Sequence, residues 1–259
     1  MQKQATLNYE EQYAQALVQW NAFAVQATGL AQGQTLLKVD TYNLACVPYQ
    51  FTMRRAVLVG SFSKDEIAFF QRFKNSVAGL SLAFQRPDAR EPMKVFCRCQ
   101  VAGVGMMKDR EGVALIVLDW KPIPPDLAEV LGEYLSLVDR LKVEFGDFRD
   151  RRVAVTPASA KSLGFNNYAV MSSGGVQTKL ALFALAANYL EFLVPMRSAD
   201  LAPGTEAAFS LYFLSYRFAV QGRIESAERL PTGVQRVRAS IGFSAELVHL
   251  LEGYFSSRR

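Results

Sequence analysis

Tyr9, Tyr13, Leu17, Trp20, Phe23 and Ala27 recur at steps of three or four residues, opposite Gln12, Gln15, Gln19 and Gln26. That spacing puts them on one helical stripe, so a leading amphipathic helix is expected within residues 1–34, ended by Gly29 and Gly33. From Thr35 the period changes. Runs rich in β-branched and aromatic residues at 36–39, 44–52 and 56–60 predict strands, and Ser63-Lys64-Asp65-Glu66 is a capping-box signature for a short helix to about Lys74. Three more strands are expected at 80–85, 94–104 and 112–120.

Pro122, Pro124 and Pro125 then open a helix in which Leu127, Val130, Leu131, Tyr134, Leu135, Val138 and Leu141 share one face, with Asp126, Glu129, Glu133, Asp139 and Arg140 opposite. Such a face needs apolar surface to cover, and the helix is expected to close a first barrel. The charged stretch 144–152, with a single glycine at Gly146, has the composition of a domain junction. Beyond it the pattern returns to strands, at 153–156, 168–171, 178–183, 189–194, 207–213, 216–224 and 234–241. Tyr216, Phe218, Val220 and Ile224 alternate with Arg217, Gln221 and Arg223, and Val237, Ala239 and Ile241 with Arg236 and Arg238. Paired as a hairpin through Leu230-Pro231-Thr232-Gly233, these strands would gather the arginines on one basic face. A last helix starts near Ser244, with Leu247, Leu250, Leu251, Tyr254 and Phe255 on one stripe and Ser256-Ser257-Arg258-Arg259 as a cationic tail.

Composition narrows the chemistry. Half of the 259 residues are apolar and a fifth are charged, enough for packed cores, and no run reaches the length of a membrane span: the richest, 180–194, is interrupted by Asn188 and Glu191. The N-terminus lacks the basic-then-apolar order of a signal peptide, so the chain reads as cytoplasmic. Three cysteines and one histidine make neither a disulfide framework nor a zinc set; Cys97 and Cys99, at i and i+2 of a β-rich run, read as core. No Gly-rich phosphate loop and no nucleophile, base and acid set is present, and His249, between two apolar faces, reads as structural, so the reading is of a protein that is not an enzyme and carries no cofactor. The net charge of +5 favours contact with an anion without identifying it.

In the second half, an arginine cluster (Arg149, Arg151, Arg152) precedes a strand, followed by the apolar segment 182–195, by Leu201-Ala202-Pro203-Gly204 before a strand, by a hairpin containing Gln221-Gly222-Arg223-Ile224, and by Ile241-Gly242-Phe243-Ser244 leading into the last helix. This order, over about 147–255, resembles the PilZ domain, the bacterial module that binds cyclic di-GMP. The first half resembles the N-terminal PilZ-like domains of flagellar-brake proteins and their spirochaete-type relatives, through Gly60-Ser61-Phe62-Ser63, the strand near 80–84, and Glu91-Pro92 before the cysteine strand. The resemblance implies a mainly β fold with flanking helices, two tandem PilZ-like β-barrels at 35–145 and 146–259, preceded by the helical segment 1–34.

The family grips its ligand with arginines spaced RxxxR and with a D/NxSxxG turn; guanidinium forks suit phosphates and stack on guanine faces. Four residues beyond Arg149, Arg151 and Arg152 stand Val153, Val155 and Thr156, so the first element is broken. The turn falls on 184–189, where none of its signature residues is kept, or on 170–175, where the serine and glycine are kept and the acid is lost; the first register fits the later spacing better.

Two functions follow from the resemblance. One is a regulator in cyclic di-GMP signalling that binds the dinucleotide at Arg149, Arg151 and Arg152 and acts on motility or another surface behaviour through an unidentified protein partner of the flagellar or signalling machinery. The other is a degenerate PilZ scaffold that binds no cyclic di-GMP and works by protein contacts alone. A nucleic-acid partner is argued against by alternation, which sets Tyr212, Tyr216 and Phe218 mostly opposite Arg217 and Arg223.

Overall fold

In the computed structural model, which describes residues 8–108, 110–196, 201–214 and 217–257, the chain forms two compact units, Met1–Leu137 and Val138–Arg259. Tyr216 and the tail residues Arg258 and Arg259 lie outside the described residues.

The first unit opens with helix α1 (Tyr9–Gln12), strand β1 (Val18–Gln19) and helix α2 (Ala22–Thr28). The single leading helix is thus corrected to two short ones. Val18 and Gln19 pair with Phe51 and Gln50, which draws the backbone out of the helical path, and the Asn21 side chain restarts the helix by accepting a hydrogen bond from Ala24 N at 2.8 Å. Leu17, expected on the buried stripe, is exposed, while Val18 is buried.

Strands β2 (Leu36–Val39), β3 (Tyr42–Ala45), β4 (Val47–Phe51) and β5 (Arg55–Ser61) follow, then helix α3 (Lys64–Phe70), which carries the expected capping box between Ser63 and Glu66. Strands β6 (Val77–Phe84), β7 (Met93–Met106) and β8 (Val113–Trp120) complete an antiparallel sheet of order β1-β4-β5-β8-β7-β6-β2-β3. Alternation builds its inner face: Leu37 and Val39, Ala56 and Leu58, Leu80 and Leu82, Val95, Cys97, Cys99 and Val101, Ile116 and Leu118 are all buried. Burial pushes the Cys97 and Cys99 thiols up to about 12, as expected of inert core cysteines.

This sheet is not the closed barrel expected from the sequence. Its end strands β1 and β3 do not pair with each other, yet only Cys46 separates β3 at one end from β4 beside the other. Two Cα steps span at most about 7.6 Å, so the sheet curls until its ends meet at one residue, with no slack for a reversing turn that would let β3 and β4 hydrogen-bond. The run at 44–52, one strand in the sequence pattern, is for this reason two. Helix α4 (Pro125–Phe148) covers the opening: Leu127, Val130, Leu131 and Leu135 join the core of the first unit.

In the second unit come strand β9 (Val153–Ala154), helix α5 (Pro157–Leu163), strands β10 (Phe165–Ser173), β11 (Val176–Leu185), β12 (Tyr189–Pro195), β13 (Glu206–Phe213), β14 (Arg217–Leu230) and β15 (Val234–Ile241), and helix α6 (Ala245–Ser256). The order β10-β13-β14-β15-β12-β11 closes on itself through β10–β11 pairing, a six-stranded barrel, and β9 adds to the outer edge of β11. Closure depends on the Gly174–Gly175 turn, whose φ angles of 55° and 80° suit a two-residue hairpin. Helix α5 was not expected; its signals are the Thr156 cap, Pro157 in the first turn and Gly164 at the C-cap.

At the end of α2, Gly29 has φ 72°, and a Cβ there would stand 2.0 Å from the Gln85 carbonyl oxygen. Gly29→Ala is expected to cost on the order of 2 kcal/mol and to lower Tm by roughly 5 °C. Gly33→Ala, which meets nothing within 4 Å, should leave Tm unchanged in the same calorimetric scan.

Candidate functional site

The barrel of the second unit buries Leu190, Phe192 and Val194 of β12 on its inside, opposite Ala239, Val237 and Gln235 of β15. Tyr189, Glu191 and Leu193 therefore face outward, and Glu191 stands in register with Arg238. A carboxylate exposed in only 12% of its side chain needs partners, and the segment after α4 supplies one; this segment lies inside the second unit, the division between the units falling at 137/138 within α4 and not at the charged stretch 144–152. Arg152 sets both Nε and Nη2 at 3.1 Å from Glu191 Oε2. Arg238 places Nη1 3.6 Å from Glu191 Oε1, turns Nε to Glu225 Oε2 at 3.1 Å, and lies with its guanidinium carbon 3.7 Å over the Tyr189 ring. The Tyr189 hydroxyl is held above its usual pKa, first by burial and then by the Glu191 carboxylate, against the opposing pull of Arg238 and Arg152.

The neighbouring residues of that segment are also engaged. Asp150, at φ 64°, donates its N–H to Asn188 Oδ1 at 3.0 Å and accepts from Asn188 Nδ2 at 3.1 Å, a reciprocal pair. The Arg151 guanidinium lies 3.8 Å from the centre of the Phe255 ring and 5.4 Å from that of Phe148. Arg149 is exposed and has no ion pair or hydrogen bond for its side chain among the described residues.

The turn between β11 and β12 keeps none of the D/NxSxxG signature: Ala184 stands in place of the acid or amide, Ala186 in place of the serine and Tyr189 in place of the glycine, and all three are buried. Its polar side chain is Asn188, already held by Asp150. The other register, through Ser172–Gly175, forms the β10–β11 hairpin. Of the three arginines singled out from the sequence, Arg152 meets this turn region through Glu191, Arg151 packs against aromatic rings of α4 and α6, and Arg149 stands apart.

Sequence reasoning missed Glu191, Asn188, Tyr189 and Arg238 as parts of this site. A signal existed: Asn188 and Glu191 are the two polar residues that break the apolar run 180–194. The basic face expected on the β14–β15 hairpin is corrected as well. Glu228 stands opposite Arg236, Glu191 opposite Arg238, and a bulge between Ile224 and Ser226 brings Glu225 to Arg238, so the face is a mixed, ion-paired surface.

Nearby, Arg140 Nη1 bonds Glu252 Oε1 at 2.6 Å and also pairs with Glu144, linking α4 to α6 within the second unit. The Arg140 hydrogen bond holds the Glu252 carboxyl below its usual pKa.

A family model described as the PilZN3 domain matches residues 4–138. Among solved structures the chain is similar to the Borreliella burgdorferi PlzA protein in complex with c-di-GMP, at 14% identity over 95% of this chain and 96% of that one, with a TM-score of 0.47. It is also similar to YcgR from Escherichia coli in complex with c-di-GMP, at 17% identity over 97% and 95% of the two chains and a TM-score of 0.32, and to the Bacillus subtilis inhibitor of motility MotI, at 8% identity over 87% and 96% and a TM-score of 0.32. No curated protein matches the chain. Among the described residues no helix is long and apolar enough to cross a membrane.

Two outcomes follow from the geometry. Glu191→Gln should destabilise by about 1–2 kcal/mol in urea unfolding; the loss stays below that of a fully buried pair because Arg152 and Arg238 keep 45% and 39% side-chain exposure. For Glu252, a lowered folded pKa means a contribution present above the unfolded value, near 4.5, and lost as pH falls through the folded one. The stability gap between wild type and Glu252→Gln should therefore narrow from about pH 6 to about pH 3, read as urea midpoints at each pH.

Proposed function

This chain belongs to the PilZN3 domain family, and from that premise we propose that it is a non-enzymatic PilZ-type regulatory protein that acts through protein contacts, with the ligand position of its second barrel filled by its own side chains. The observation that carries the reading is Glu191. Its carboxylate holds Arg152 and Arg238, the guanidinium groups that would otherwise be turned toward a phosphate. A dinucleotide with two phosphates needs several donors at once, and the turn offers buried alanines and an aromatic ring where an acid, a hydroxyl and a glycine would approach the nucleotide. The Asp150–Asn188 pair closes the remaining polar edge.

A second reading, cyclic di-GMP bound at the junction and relayed to a partner that controls motility, has Arg149 in its favour. That guanidinium is exposed and without a partner among the described residues, and the ion pairs beside it are accessible enough to exchange. Against it stands the number of contacts to be broken for each one formed. PlzA and YcgR, to which the chain is similar, were each solved with c-di-GMP.

Isothermal titration of the full chain with cyclic di-GMP separates the two. The expected result is no saturable heat for the wild type. Micromolar or tighter binding that an Arg151→Ala/Arg152→Ala double variant abolishes would replace this reading with the receptor.

A further inference from the structure

Strands β2, β6 and β7 are consecutive in the first sheet, and none of the three contains an acidic residue. Their outward positions carry Leu36 and Lys38 on β2, Gly79 and Ser81 on β6, and Lys94, Phe96 and Arg98 on β7. Register fixes the rows: Lys38, Gly79 and Arg98 lie side by side across the sheet, as do Leu36, Ser81 and Phe96. Adjacent strands are about 4.8 Å apart and same-face residues about 6.8 Å, so the three cations surround Phe96 within roughly two residue steps.

Phe96 is a large apolar side chain left 67% exposed. Its ring is laid down on Gly79, where a Cβ would stand 2.7 Å from the ring's Cζ. One ring face rests on backbone that only glycine permits, and the other is offered outward. Lys38, Lys94 and Arg98 are exposed and have no ion pair or side-chain hydrogen bond among the described residues. Of the neighbouring acids, Asp119 is held by Arg55 at 2.7 Å, and Asp40 lies in the turn beyond Lys38.

We propose that this face binds single-stranded nucleic acid, with a base stacked on Phe96 and the flanking phosphates on Lys38, Lys94 and Arg98. An exposed ring in a field of unpaired cations on an outward sheet face is the arrangement that grips unpaired bases. A duplex keeps its base faces stacked inside and cannot use the ring. The surface lies in the first unit and owes nothing to the junction, so it stands whether or not cyclic di-GMP binds there.

The test is fluorescence anisotropy of the full chain with a labelled oligouridylate of about 12 nucleotides and a duplex of equal length, at about 50 and 200 mM salt. With three phosphate contacts the affinity for the single strand should fall about 20-fold between the two salt concentrations. Phe96→Leu keeps the apolar bulk without the aromatic face and should weaken binding about tenfold. Arg98→Glu should weaken it at least as much, and Lys161→Glu, an exposed charge reversal in the second unit, should leave it unchanged. No binding at the lower salt, equal affinity for duplex, an unaltered Phe96→Leu variant or an equal loss in Lys161→Glu would each overturn the proposal. Binding of polyglutamate in place of the oligonucleotide would mark the face as a site for an acidic polypeptide and would overturn it too.

Discussion

A carboxylate almost wholly out of water must be paired, and Glu191 sets this requirement for the outer face of the second barrel. It sits on β12 between Leu190 and Phe192, which are fixed inside by the barrel core. The period of two leaves Glu191 no choice but the outer face, under the junction. Arg152 and Arg238 are drawn to it from the junction and from β15, Arg238 is pressed onto Tyr189, and Glu225 takes the remaining fork of Arg238. One buried charge thus orders four other side chains. The position of the junction strand β9 on the edge of β11 belongs to the same set of constraints, because Val153 follows Arg152 directly and is itself buried.

The strand pattern was largely legible in the sequence because the sheets bury one face. Where alternation is strong, as in β7 with Val95, Cys97, Cys99 and Val101 inside, the element and its orientation could be read directly. β12 was harder. Tyr189 through Phe192 are all buried, since the barrel covers one side and the junction covers the other, and a continuous apolar run does not say which face is which. The leading helix failed for a related reason. Six residues at helical spacing satisfied the stripe, but a two-residue pairing of Val18 and Gln19 with β4 outweighed local periodicity, and Asn21 then served as a cap rather than a mid-helix residue. Barrel closure in the first unit was beyond local patterning, because it turns on whether β3 and β4, one residue apart in sequence, lie side by side or at opposite ends of the sheet.

The site was legible in part. Sequence located the arginines and showed both signature elements to be broken, yet not what had replaced them. A broken motif leaves two physical outcomes: a cavity lined by other donors, or a surface satisfied from within. Telling them apart requires the partners of Arg151, Arg152 and Asn188, which are 38 or more residues distant for Asp150 with Asn188 and Arg152 with Glu191, and over a hundred for Arg151 with Phe255. Only the fold brings these together.

How each positive charge is partnered matters more than the net sum. From composition alone, +5 could have belonged to the arginine-rich junction or to the β14–β15 face. Several of these cations are paired within the protein, Arg152 and Arg238 with Glu191 and Glu225 and Arg140 with Glu144 and Glu252, and Arg236 stands in register with Glu228, while Arg149 and Arg151 have no acidic partner among the described residues. Charges paired within the protein project little potential beyond a Debye length, about 8 Å in physiological salt. Lys38, Lys94 and Arg98 are not balanced in this way, and they stand around an aromatic ring that the sheet holds open to solvent. The net excess itself lies mostly in the second unit, +4 against +1 for the first, so what sets the first-unit face apart is unpaired cations around an exposed ring and not an excess of charge.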